Sequence, residues 1–160
     1  MVALSSEQVW EELENNMFAV VGMVTARNES RTAGIVYAVH NRKLYFGTLK
    51  ASWKARHIAG NGHVSVTAAI PKRIPFVPWV KIPAATITFP GQARILSADE
   101  GDPEVDHALH SGMEGAEDIK ANSVVIEITP EKNFVTYGVG VSLQTMRDPA
   151  ESMGKVSVGT

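Results

Sequence analysis

The sequence predicts a mainly β domain, a Greek-key β-barrel with peripheral helices. Six or seven stretches alternate apolar and polar residues or concentrate β-branched and aromatic ones, and nearly all are joined by short turns. Few successive strands have a helix between them that could serve as a parallel crossover, so neighbours should run antiparallel. At 160 residues the chain is expected to be one domain spanning 1–160, with one sizeable core and no repeat, linker or low-complexity block.

The opening MVALSSEQVWEELENN lacks a basic start and a long apolar run, so neither a signal peptide nor a membrane span is expected. Ser5 or Ser6 can cap a helix with Val9, Trp10 and Leu13 on one face and Glu7, Glu11, Glu12 and Glu14 around the rest, a lid for one end of the sheet. Phe18–Ala26 is a strand, Arg27–Ser30 a turn, and Thr32–Val39 the next strand. In it, Gly34 either admits a flat ligand close to the backbone or marks a bend. His40, Asn41 and Arg42 make a short hairpin turn into the strand Lys43–Thr48. Ser52 then caps a short helix through Ile58, Gly60 and Gly62 stop it, and Val64–Ile70 is strand again.

Between Pro71 and Ala85, prolines at 71, 75, 78 and 83 forbid a helix or a central strand, while Ile74, Phe76, Val77, Trp79 and Val80 call for a cover: a dimer partner, a bound ligand or a membrane surface. Thr86–Leu96 returns to strand, with Pro90-Gly91 marking a bulge or an edge. Asp99–Lys120 is acidic and loosely helical. Ser123–Thr129 is a strand ended by Pro130, Asn133–Val141 is another, and the tail 143–160 runs through Met146, Arg147, Asp148 and Pro149 into small residues.

A net charge of −2 and a pI near 6.2 argue against a nucleic-acid partner. The absence of cysteine removes disulfides, thiolate metal sites and thiol catalysis, and suits a reducing cytoplasm. His107 and His110 share a helical face near Asp106 and Glu114, but this spacing is too loose to assign a metal. His57 and His63 have no orienting partner in sequence that would make either a general base.

The stretch Leu44–Ala69 concentrates the functional signals. A helix N-terminus carries unpaired N–H groups and the positive end of the helix dipole, and here Lys50, Ser52 and Lys54 add cations and a hydroxyl. The group suits a phosphate; the same residues also serve as a plain cap with solvated lysines.

The run YFGTLKASWKARHI followed by NGHVSV resembles the signature of the pyridoxamine 5′-phosphate oxidase-like FMN-binding split barrels, which read Ser-Arg-Lys-Ala, a short helix and Asn-Pro-x-Val. The matching residues are Ser52, Trp53, Lys54 and Ala55, then Asn61, Gly62, His63 and Val64. Trp53 replaces a second phosphate-binding Arg and Gly62 replaces Pro, with Lys50 a substitute cation. The resemblance implies a split barrel that holds the FMN phosphate at Thr48, Lys50, Ser52, Trp53 and Lys54 and lays the ring along the backbone of Gly34, Ile35, Val36 and Tyr37. It places a Gly-x-Ala-x motif at Gly91–Arg94, and Thr86 where relatives often contact the flavin of the neighbouring subunit. It also implies a homodimer with the cofactor at the subunit interface, a small-molecule substrate, and a tail whose Arg147 could reach the ligand. Biosynthetic members have a basic residue at each end of the strand that here carries Gly34 and Val39, so that oxidase activity is not expected. A flavin-dependent oxidoreductase is the leading function. The alternatives are a reductase using the deazaflavin coenzyme F-420, drawing on Arg56 or Lys72, and a non-enzymatic flavin or haem module using His57 or His63.

Overall fold

The computed structural model describes residues 2–73, 79, 82–110 and 116–159. Five helices are α1 (Ser6–Glu14), α2 (Trp53–Gly60), α3 (Pro103–His110), α4 (Ala116–Asn122) and α5 (Pro149–Ser152). Nine strands are β1 (Phe18–Val24), β2 (Ser30–Val36), β3 (Ala38–His40), β4 (Lys43–Leu49), β5 (His63–Ile70), β6 (Ala85–Ile95), β7 (Ser123–Pro130), β8 (Asn133–Tyr137) and β9 (Met153–Ser157). They form one sheet, ordered β2-β1-β5-β6-β7-β4-β3, with β8 on β6 and β9 on β8. Every ladder is antiparallel.

The two ends of this sheet are consecutive in the chain. The segment expected as one strand, Thr32–Val39, is two strands that part at Tyr37: β2 pairs with β1 and β3 pairs with β4. Tyr37 is buried, donates its backbone N–H to Met17 O at 2.9 Å, and donates its hydroxyl to Leu13 O at 2.9 Å. Burial pushes its phenol pKa upward. The sheet therefore curls until β2 lies near β4, without a ladder between them. Asn41 and Arg42 (φ 48° and 57°) make the tight two-residue turn from β3 to β4, since positive φ at both central positions matches strand twist.

Inside the curl lie Phe46, Phe89, Phe134, Leu44, Ile87, Ile126 and Ile128, all fully buried. The lid expected from α1 is present: Ser5 caps it in a reciprocal capping box with Gln8, and Val9, Trp10 and Leu13 are buried. The Trp10 ring meets Phe134 edge-on at 5.3 Å, and Phe134 meets Phe89 the same way.

Two further expectations are corrected. Pro90-Gly91 is no bulge, because the β5–β6 register runs unbroken from His63↔Gln92 to Ile70↔Ala85. Pro90 instead sits where the other edge of β6 forks, with β8 pairing as far as Thr88 and β7 from Gly91. A residue without an N–H costs nothing at that junction, and its carbonyl takes the Glu131 N–H at 2.8 Å. The last expected strand stops at Tyr137, because Gly138 and Gly140 turn the chain with φ of 72° and 69°. The tail is ordered: Asp148 caps α5 with Pro149 in its first turn, and β9 pairs along β8. Residues 74–78, 80 and 81 of the proline-rich segment, with four of the five apolar residues expected to need a cover, and Glu114 lie outside the described residues; Trp79 is 75% exposed. No described helix is long and apolar enough to cross a membrane.

On the outer face, Glu127 of β7 is buried among three donors: Arg94 Nε at 2.8 Å, the Tyr45 hydroxyl at 3.0 Å and Lys43 Nζ at 3.2 Å. Burial alone would raise this carboxyl, but the hydrogen bonds outweigh it and hold the pKa below the ordinary range. Desolvation and the Glu127 hydrogen bond push the Tyr45 phenol up to about 12. Arg94 also reaches Glu100 at 2.6 Å, and hydrogen bonds from Arg94 and Ser97 lower Glu100 to about 2. The pair ties the 3-10 turn Ala98–Glu100, and α3 behind it, to the barrel.

Two predictions follow from the corner and the clamp. Tyr37→Phe removes the shorter of two bonds to the Leu13 carbonyl, leaving the Asn16 N–H at 3.3 Å, and should cost about 0.5–1.5 kcal/mol in chemical denaturation. A carboxyl with a depressed folded pKa stabilises above its unfolded value and loses that contribution as pH falls toward the folded one. Stability should therefore decline from about pH 4.5 toward pH 2, and Glu100→Gln should flatten that slope in acid melts.

Candidate functional site

Past the pairing of Ala38 with Tyr45, β2 and β4 diverge, which leaves two strand edges facing a split. Gly34 and Val36 are on the exposed face of β2, with Val36 63% exposed, whereas Ile35 and Tyr37 turn into the core. From residues 34–37, then, a ligand in the split meets backbone and the Val36 side chain. The space at Gly34 is used within the chain, for a Cβ there would lie 3.1 Å from the Phe18 ring. Phe18 and its cross-strand partner Val36 form an exposed apolar pair on this face, and Met17, next in the chain, is also exposed.

At the other end of the split, β4 runs into α2. Ser52 is the helix N-cap, with extended backbone (φ −67°, ψ 151°) and an N–H bonded to Leu49 O at 2.9 Å. Its Oγ accepts the Ala55 N–H at 3.1 Å and the Thr48 hydroxyl at 3.0 Å. With both acceptor positions filled, the Ser52 proton is left to donate outward. Among the described residues nothing takes the Trp53 and Lys54 N–H groups of the first helical turn. Lys54 Nζ lies 5.9 Å from the centroid of the Trp53 ring, and that ring is 41% exposed. The fold thus gathers Thr48, Ser52, Trp53 and Lys54 into a group with a hydroxyl donor, two backbone donors, one ammonium and no carboxylate. That donor set fits a phosphate.

Lys50 is not part of this group. Its backbone N–H bonds Asn122 O and its Nζ bonds Ala121 O, both at 2.9 Å, so the side chain closes the end of α4. Arg94 of the expected Gly-x-Ala-x motif is held by Glu127 and Glu100. Thr86 lies in β6 between Ala69 and Tyr137, and Arg147 is exposed in a 3-10 turn. His63 is exposed at the start of β5, and His57 on α2 is half-buried, 5.8 Å from Trp53. His110 bonds Asp106, which also pairs with Lys120, and among the described residues no three His, Asp or Glu side chains gather as a metal site.

Sequence reasoning missed the Glu127 cluster. The available signal was a lone glutamate in the apolar strand SVVIEIT, with Arg94 and Tyr45 at its cross-strand positions.

No family model and no curated protein matches the chain. Solved structures do. A heme binding protein from Mycobacterium smegmatis aligns over 99% of this chain with TM-score 0.71 at 14% identity, and the chain spans 60% of that protein's length. A candidate pyridoxamine 5′-phosphate oxidase from Listeria innocua aligns over 79% of this chain and 94% of its own, with TM-score 0.56 at 17% identity. The architecture is that of the pyridoxamine 5′-phosphate oxidase-like split barrels. An F-420 reductase shares this split-barrel fold, over 75% of this chain and 90% of its own, with TM-score 0.55 at 17% identity.

Local packing in this chain accounts for the glycine found where the resemblance leads one to expect proline. Gly62 O accepts the Ala93 N–H at 2.7 Å, and a Cβ at Gly62 would run into the Ala93 carbonyl and the Gln92 amide. Gly62→Ala should therefore destabilise the fold by about 1–3 kcal/mol, visible as a lowered midpoint in denaturant.

Proposed function

We propose that the chain binds FMN in the split between β2 and β4 and acts as a flavin-dependent oxidoreductase on a small molecule. The observation that carries this reading is the Thr48–Ser52–Lys54 group at the start of α2, whose uncommitted donors are those a terminal phosphate needs. When bound, the isoalloxazine supplies the redox chemistry. Ser52 and the first N–H groups of α2 orient the phosphate, and Lys54 neutralises part of its charge. The backbone of Gly34–Tyr37 lies along the ring, and Val36 shields it from water. The exposed apolar side chains of Met17, Phe18 and Val36 support a homodimer that closes the site.

A deazaflavin with a longer acidic tail would call on further cations. Of the two, Lys72 already gives one bond to Val141 O at 3.1 Å and Arg56 lies exposed on α2, whereas FMN, with one compact phosphate, needs neither. One observation favours a haem-binding reading: the Mycobacterium smegmatis heme binding protein aligns with almost the whole chain. His57 or His63 would then be the iron ligand.

Absorption spectra of the purified protein, before and after soaking with FMN, deazaflavin or haem, separate the three. Lys54→Ala should weaken FMN by about 1.5–3 kcal/mol, roughly 10- to 150-fold in Kd, with the fold intact by circular dichroism. Unchanged FMN affinity in that variant rejects the phosphate site.

A further inference from the structure

A cavity of about 540 Å³ lies between the first residues of β7, the exit of β6, α3 and the end of α4. This volume is in the range of small-molecule sites. Its apolar lining comes from Leu96, Val105, Val124 and Val125. Val105 is buried, but Leu96, Val124 and Val125 remain half-exposed. Gly47 is the cross-strand partner of Val125, and a Cβ placed on it would meet nothing within 4 Å, so this face of β4 is also bare.

The polar groups of the lining are unevenly committed. Asp106 is taken by Lys120 and by His110 Nδ1 at 3.2 Å. Asp102 is taken by His40 Nε2 at 3.2 Å and by the Glu104 N–H at 2.8 Å. Both carboxylates thus have partners of their own. Lys50 spends one of its three N–H groups on Ala121 O, and among the described residues it pairs with no carboxylate. What the cavity offers a ligand is apolar surface and, in Lys50, an ammonium that no described carboxylate neutralises. A phosphomonoester would call for more cations and less apolar surface, and a neutral hydrocarbon would leave Lys50 unused.

We propose that this cavity is a second binding site, which takes a monocarboxylic acid with an aromatic or medium-length aliphatic body. The carboxylate pairs with Lys50, and the body covers Leu96, Val124 and Val125. The proposal stands whether or not the split holds a flavin, because the two sites share no side chain.

The full chain can be titrated with naphthoate and with its neutral amide, naphthamide, followed by calorimetry and by heteronuclear NMR. Naphthoate should bind saturably at one site, the amide at least tenfold more weakly, and the shift changes should fall on Leu96, Val105 and Val124 and not on Gly34 or Ser52. Lys50→Met should weaken naphthoate tenfold or more, and Val125→Phe, which fills the cavity, should abolish binding. If Val125→Phe does not fold, the exposed Lys50→Met carries the test. Absence of saturable binding, equal binding of acid and amide, shifts confined to the split, or unchanged affinity in Lys50→Met would overturn the proposal.

Discussion

The architecture depends on the way the chain is pinned at Tyr37. A curled sheet of this kind has two end strands, and here one unbroken stretch of chain supplies both, leaving β1 and joining β4 within a single residue. Tyr37 fixes that transfer by three means: a buried ring, a backbone bond to the residue preceding β1, and a hydroxyl bond to the last turn of α1. The lid helix, the first strand and the corner are thereby held together. The split that opens beyond the corner is a consequence, since strands tied to different neighbours on one side of a point must diverge on the other.

The outer face is organised differently, by charge. Glu127 is a buried carboxylate, which is tolerable only when its lone pairs are filled, and three donors from two neighbouring strands fill them. Arg94 passes that order outward through Glu100 to the turn that leads into α3. Through this relay the turn Ala98–Glu100 and α3 behind it are tied to the barrel, where α3 forms one wall of the cavity.

Much of this was legible in the sequence, and what was not has identifiable reasons. Alternation and capping marked α1, β4, α2, β5 and β7, because one face of each meets a core or a cap lies at its start. The corner at Tyr37 was not legible: TAGIVYAV reads as a continuous β-former, and only the change of pairing partner divides it. The fork at Pro90 was half legible, since a missing N–H announces an interruption without saying which edge is interrupted. The tail carried no strand expectation, because β9, MGKVS, is short and weakly patterned and is held by its pairing with β8. At the start of α2, the Ser52 cap was legible because it is local to the helix. Lys50 was not: its ammonium is claimed by a carbonyl far along the chain.

The pairing of β4 with β7 brings together residues 82 positions apart, as the Tyr45–Glu127 contact shows. Bringing such distant segments together carries a loop-closure cost before any contact rewards it, so topologies of this kind fold slowly relative to helical ones. During synthesis β4 and α2 emerge long before β7. The elbow between them must wait for its supporting strand, and β4 exposes an edge in the meantime. The pocket is therefore complete only at the closing step of folding, when β7 pairs with β4.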